Sequence, residues 1–198
     1  MFVIELKNDR IMSLQESTML ELGTPAPEFE LIDVVSGKKK GLQDVKGPKG
    51  TLVVFICNHC PYVIHIQEKW VELVHQYDEV GISTVAISSN DVENYPADRP
   101  EKMKERAEEL GMDFPYLYDE TQEVAKAYKA ECTPDFFLFD ENMQLVYRGQ
   151  FDGSRPGNDV PVTGEALKNA LDKLLEGRSI PEDQQRPSAG CGIKWKPQ

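Results

Sequence analysis

Cysteines at positions 57 and 60 enclose Asn58 and His59 where an apolar run, Thr51 to Ile56, gives way to a helical pattern starting at Pro61. Two thiols three positions apart can close on each other in one step, and a helix N-terminus beside them favours the thiolate that does so. This is the arrangement of a dithiol redox site. A free cysteine with a pKa of about 8.5 is only a few per cent thiolate at neutral pH. A favourable helix end contributes up to about 2 kcal/mol, and a positively charged His59 lowers the pKa further. The expectation is an acidic Cys57 at the exposed end of the helix, acting as the attacking thiol, with Cys60 buried one turn in as the resolving thiol. Histidine between the cysteines should also make the pair more oxidising, because it stabilises the reduced thiolate. Pro61 suits the first helical turn, where no backbone donor is lost.

Two alternatives compete. A structural staple across so short a loop contributes only about 2 kcal/mol in the chain-entropy model, which is poor use of a disulfide. A metal site could draw on Cys57, His59 and Cys60, but adjacent residues are awkward ligands for one tetrahedral ion and no second cysteine or histidine pair completes the set. Neither a metal nor a cofactor is expected.

The elements that must hold this motif follow from periodicity. The 51–56 run is β-branched and aromatic throughout, as in a strand buried on both faces. Val63, Ile66, Trp70, Leu73, Val74 and Tyr77 recur at three- and four-residue intervals, which predicts one apolar face of a helix before Gly81. Ile82 to Ile87 reads as a parallel strand, Asp91 to Pro100 as a polar loop, and Glu101 to Leu110 as a charged helix. A brief strand over 114–118 and a helix to Tyr128, capped by Asp119 and Gln122, come next. Phe136 to Phe139 and Leu145 to Tyr147 flank a hairpin turn, and a last helix carries Leu167, Ala170, Leu171, Leu174 and Leu175. Lys38 to Gly50 reads as a loop. Residues 1–22 read as an N-terminal arm, 23–178 as the domain and 179–198 as a tail that orders on contact, with Trp195 docking it.

Composition narrows the function classes. The chain has 198 residues, 22 Lys and Arg against 34 Asp and Glu, and a net charge of −12. So acidic a chain repels nucleic-acid phosphates and anionic lipid surfaces, and no basic stripe overrules that. The start lacks a basic segment followed by a long apolar one, and no stretch reaches membrane-span length. A cytoplasmic setting is expected, where paired cysteines are more often catalytic than structural.

Gly23-Thr24-Pro25-Ala26-Pro27-Glu28-Phe29, the Cys57-Asn58-His59-Cys60-Pro61 motif, Cys132-Thr133-Pro134-Asp135-Phe136-Phe137 and Gly190-Cys191-Gly192-Ile193-Lys194-Trp195 together resemble the peroxiredoxin-like branch of the AhpC/TSA family. The resemblance spans roughly residues 20–197. It implies an α/β, thioredoxin-like fold: a central mixed β-sheet flanked by helices, with a peroxiredoxin-like insertion and a C-terminal tail. It also implies that Pro134 is a cis proline opposite the motif and that Thr133, before it, receives an extended substrate as an added strand. Cys132 and Cys191 are candidate accessory thiols, with a buried filler and a free surface cysteine as the respective competing readings. His65 and His75 read as solvated, as do the charged residues Arg148, Asp152 and Arg155 around a Gly/Pro-rich loop.

The sequence also departs from its relatives. Peroxiredoxins carry Pro-X-X-X-Thr-X-X-Cys, whereas counting back from Cys60 gives Val53 and Cys57 at those places, and from Cys57 gives Gly50 and Val54. Thioredoxins carry a buried acid in the preceding strand, and Thr51 to Ile56 contains none. Proton transfer then falls to His59, water or a carboxylate from elsewhere. The function expected is an intracellular thiol-disulfide oxidoreductase acting on a protein or small-thiol substrate with an unidentified electron donor. A thiol peroxidase using Cys57 is the alternative within enzymes, and a redox-switched binding protein, with Cys191 as the partner of Cys57, is the alternative outside them.

Overall fold

Strand β1 (Leu14–Glu16) is followed by β2 (Glu30–Asp33), β3 (Lys39–Gly41), α1 (Leu42–Val45), β4 (Gly50–Phe55), α2 (Pro61–Asp78) and β5 (Ile82–Ser88). A 3-10 turn at Pro96–Asp98 leads to α3 (Pro100–Leu110), β6 (Tyr116–Tyr118), α4 (Glu123–Ala127), β7 (Cys132–Thr133), β8 (Asp135–Asp140), β9 (Leu145–Gly149), α5 (Glu165–Leu175) and β10 (Ala189–Gly192). These elements come from a computed structural model, which describes residues 14–197.

The apolar run of β4 is buried along its whole length because it pairs on both edges, parallel to β5 and antiparallel to β8. Its side chains alternate between two cores. Leu52 and Val54 join the buried faces of α2, α3 and α5, whereas Val53 and Phe55 pack on the opposite side with Phe137, Tyr128 and the helices α1 and α4. The seven-stranded sheet runs β3-β2-β6-β5-β4-β8-β9 and is mixed, with helical cover on both faces. The thioredoxin-like α/β architecture expected from the sequence is therefore the one observed. No helix of the described residues is long and apolar enough to cross a membrane.

Several local expectations are corrected. Lys38 to Gly50 is not a plain loop, since it holds β3 and the single turn α1, whose Leu42 and Val45 cap the second core. Gln122 does not close a capping box. Asp119 receives the α4 backbone N–H groups of Val124 (3.4 Å) and Ala125 (2.9 Å), while the Gln122 amide donates to the carbonyls of Ser89 (2.6 Å) and Lys194 (2.9 Å). Arg148 and Asp152 are buried rather than solvated. Arg148 donates to Asp135 (3.1 Å) and to the Lys129 carbonyl (2.6 Å), and Asp152 accepts the backbone N–H of Thr163 and of Gly164 at 2.7 Å each. Arg155 donates to the carbonyls of Asp152 and Ser154. A loop that folds back on the domain needs such partners, because its backbone groups cannot be left unpaired inside.

Arm and tail are not appendages. β10 lies between β1 and β7 in a separate three-stranded antiparallel sheet, so residues on either side of the domain in sequence are laced together over it. The tail's anchors are this pairing and the buried Ile193, not Trp195, which is 43% exposed with the Lys126 ammonium 5.8 Å from its ring centre. Residues 1–13 of the arm lie outside the described residues.

Candidate redox site

The motif occupies the turn between β4 and α2. Pro61 opens the helix, and Cys60 is its N-cap, so Cys57 stands three residues outside the helix. Both sulfurs are covered, Cys57 to 2% exposure and Cys60 to 0%, which corrects the expectation of an exposed first cysteine. The cover is Thr133. Its hydroxyl lies 3.4 Å from Cys57 Sγ, and its carbonyl accepts from Cys60 Sγ at 3.2 Å, so one residue touches both thiols through two different oxygens. The Thr133–Pro134 peptide bond is cis.

A carboxylate from the segment read as a polar loop completes the site. Asp98, 0% exposed at the end of the 3-10 turn, accepts the Asn58 backbone N–H (2.7 Å), the Asn90 side-chain amide (2.8 Å) and His59 Nδ1–H (2.7 Å). Three donors from two segments hold this carboxylate where β4 has no acid to offer. The Asn58 side chain locks the same segment by donating to the Ala97 carbonyl (2.9 Å) and accepting from the Tyr116 hydroxyl (3.3 Å). With Nδ1 donating to Asp98, the free lone pair of His59 is on Nε2, a buried atom with no hydrogen-bond partner among the described residues. The ring stacks on Tyr95, centroids 5.2 Å apart at 13°.

One atom each from Cys57, His59 and Asp98 lie within 4.8 Å of one another. These are metal-ligand types, but His59 and Asp98 are engaged with each other, which leaves Cys57 beside a histidine–carboxylate pair without a hydrogen bond to it. Sequence reasoning missed Asp98 because its role depends on contacts spanning about forty residues. The local signal was a polar segment bracketed by Pro96 and Pro100 and entered directly from the buried strand β5.

The tail supplies a third sulfur. In the β10–β7 register Cys191 is opposite Thr133 and Gly192 opposite Cys132. Cys57, Cys60 and Cys191 belong to one buried cluster. Hydrogen bonds from Cys191 and from Cys57 pull the Cys60 pKa down, whereas burial, followed by the neighbouring Cys60 and Asp98, pushes Cys57 well up. Within this pair these influences favour ionisation at Cys60 over Cys57, the opposite direction to the one expected from the sequence. The physical reason is that Cys60, rather than Cys57, holds the N-cap and the centre of the thiol cluster. Cys191 is raised, first by its contact with Cys60 and then by burial.

Cys132 faces away from this group. Its sulfur meets Ser17 Oγ at 3.6 Å and the Pro134 carbonyl at 3.7 Å, beside the Asp135–Arg148 pair. Burial, and then Asp135, raises its pKa. An unfolded thiol ionises near pH 8.5 while the folded one keeps its proton, so folding stability from this group is complete below roughly pH 8.5 and falls by about 1.4 kcal/mol per pH unit above it. Cys132→Ala should make the decline in urea-unfolding free energy between about pH 8.5 and 10 shallower by about 2 kcal/mol. An unchanged slope would mean that Cys132 ionises in the folded state. His65 is partnered by Ser154 Oγ at 2.7 Å rather than simply solvated, and His75 Nε2 lies 2.9 Å from Asp113 Oδ1.

The sequence profile of the AhpC/TSA family matches residues 22–148. A thiol-disulfide oxidoreductase, ResA, from Geobacillus thermodenitrificans (strain NG80-2) is 30% identical over 153 residues, which cover 77% of this chain and 82% of that protein. Among solved structures, an uncharacterized conserved protein from Geobacillus kaustophilus is similar with a TM-score of 0.92 and 58% identity over 94% of this chain and 98% of its own. A hypothetical protein from Sinorhizobium meliloti 1021 gives a TM-score of 0.89 at 43% identity, covering 92% of this chain and 99% of that one.

Proposed function

Since the chain belongs to the AhpC/TSA family within the thioredoxin superfamily, we propose that it is a thiol-disulfide oxidoreductase that works through Cys57 and Cys60. The observation that carries this reading is the convergence of both thiols on Thr133, with the His59–Asp98 pair beside the first of them.

The geometry suits a two-step exchange. His59 takes the Cys57 proton, and Cys57 Sγ attacks one sulfur of a disulfide. That S–S bond breaks, a mixed disulfide forms at Cys57, and the departing thiolate receives the proton from His59. Cys60, the thiol of the pair favoured to ionise, attacks Cys57 Sγ and expels the second thiolate, which is protonated by water. The protein dithiol is oxidised by two electrons and the substrate disulfide is reduced by two. The reverse sequence oxidises a substrate dithiol. Asp98 fixes the histidine tautomer and stabilises the imidazolium, a division of labour that acid–base catalysis rewards with about 10²–10⁴ in rate.

Peroxide reduction asks for something else. Peroxiredoxins orient the peroxide with their Pro-X-X-X-Thr set, and Gly50 and Val54, at those places before Cys57, carry no side-chain donor; one missing donor of this type costs about 10²–10³ in rate. Turnover of a small aromatic disulfide is therefore expected to exceed hydrogen peroxide consumption by about 10²-fold or more at equal concentration, measured by coupled absorbance assays. A second-order rate with peroxide that matches or exceeds the disulfide rate would replace this function with the peroxidase alternative.

A further inference from the structure

The edge of β7 beside the motif is already taken. β10 pairs along it, and β1 closes the far side of β10, so no extended polypeptide can add a strand there while the tail is in place. The tail occupies that edge at the closest approach a backbone permits: a Cβ on Gly190 would lie 1.9 Å from the Thr133 carbonyl oxygen. The residue this pairing sets opposite Thr133 is a cysteine.

We propose that Cys191 is a third exchange thiol, which attacks the oxidised motif at Cys60 and so passes the disulfide from the Cys57–Cys60 pair to a Cys60–Cys191 pair across β7. This inference rests on the oxidoreductase reading of the same site. The step is an internal exchange. The Cys191–Cys60 bond forms, the Cys60–Cys57 bond breaks, Cys191 loses a proton and Cys57 gains one. Oxidation level is unchanged, and no further oxidant or reductant enters.

The arrangement favours Cys60 as the shared partner. Thr133 places its carbonyl on Cys60 and its hydroxyl on Cys57, while Gly190, the neighbour of its strand partner Cys191, packs against that same carbonyl. All three thiols are part of one buried cluster, so the exchange is shielded from solvent thiols. The leaving sulfur, Cys57, is the one beside His59, which can protonate it. Two roles are thereby separated: Cys57 is returned as a free thiol on the His59 side, and the disulfide is stored under the tail strand. The class of molecule served at the Cys57 end is a small disulfide, because the strand-addition edge is closed. Reduction of the stored bond requires a dithiol that reaches β10, which places the electron donor's contact on the tail.

The full-length protein, oxidised with one equivalent of glutathione disulfide, quenched in acid, alkylated and digested, reports the outcome by mass-spectrometric mapping. Both linkages are expected in wild type, with populations within about tenfold of each other, since each breaks and forms one S–S bond and tenfold corresponds to about 1.4 kcal/mol. Cys57→Ser should still yield the Cys60–Cys191 linkage, and Cys191→Ser should yield Cys57–Cys60 alone. If wild type carries only Cys57–Cys60 with Cys191 fully alkylated, and Cys57→Ser forms no internal disulfide, the third-thiol role is overturned while the oxidoreductase reading stands. If Cys57 and Cys60 remain free thiols in wild type and in Cys191→Ser, the oxidoreductase reading itself is overturned, and the inference goes with it. Circular dichroism of each variant before oxidation identifies any loss of fold, and the Cys57→Ser arm tests the linkage with Cys191 unaltered.

Discussion

Asp98→Asn slows disulfide exchange by about 10²–10⁴-fold, the range lost when acid–base assistance is removed. The substitution is nearly isosteric, yet Asp98 accepts three donors, and an amide can offer only one oxygen to them. Either the new NH₂ faces the Asn58 N–H and loosens the motif backbone, or it faces His59 Nδ1 and turns the imidazole to the wrong tautomer. The sign of the effect separates two roles. Asp98 also raises the Cys57 pKa by its charge, so a carboxylate acting through its field alone would, when neutralised, make Cys57 more acidic and quicken its reaction near neutral pH. Stopped-flow reaction with a small aromatic disulfide across the pH range decides between them. Slower exchange with a displaced acidic limb supports the positioning role, whereas an unchanged or faster rate rejects it. Urea unfolding run alongside reports any cost of the lost hydrogen bonds.

Gly190→Ala opens the site. The added Cβ would meet the Thr133 carbonyl oxygen at 1.9 Å and its carbon at 2.7 Å, overlaps of rigid backbone that no side-chain rotation relieves. β10 must then lift from β7, and the alkylation rate of Cys57 and Cys60 by iodoacetamide should rise by about 10²-fold, equivalent to losing about 3 kcal/mol of closure. The main sheet contains none of β1, β7 or β10, so the far-ultraviolet spectrum should be largely kept. Gly192→Ala is the matched control. A Cβ there meets nothing closer than 3.8 Å, and the alkylation rate should remain at the wild-type value. Equal rates in all three proteins would show that β10 does not guard the thiols.

The parts of the fold that could be read from sequence are those whose signal is local. Continuous burial marks β4 because six adjacent residues share one environment, and the Val63-to-Tyr77 face marks α2 because its period is that of the helix. The hairpin of β8 and β9 is legible for the same reason. What escaped was polar and distant. Asp98 looks like any acid in a proline-bounded loop until Asn58, His59 and Asn90 are brought around it. Gln122 looks like half of a capping box until the tail offers it the Lys194 carbonyl and the Lys196 N–H. Arg148 looks like a surface cation until Asp135 is found beneath it. Each assignment turns on a partner more than a dozen residues away, and spacing along the chain carries no information about such partners. The site followed the same rule: Cys57, Cys60, His59, Thr133 and Pro134 were named from motif spacing and resemblance, while their depth of burial and the order of their acidities were not.

The strand that covers the thiols is the last of the described elements to be synthesised. Every strand of the main sheet, and the motif itself, precedes β10 in the chain. A nascent or clipped polypeptide that ends before Ala189 can thus build its central sheet while the β7 edge that carries Thr133 has no strand paired on it. Pairing of β10 on that edge then lowers thiol reactivity, and a chain that lacks β10 is expected to be a more reactive protein instead of an inert one.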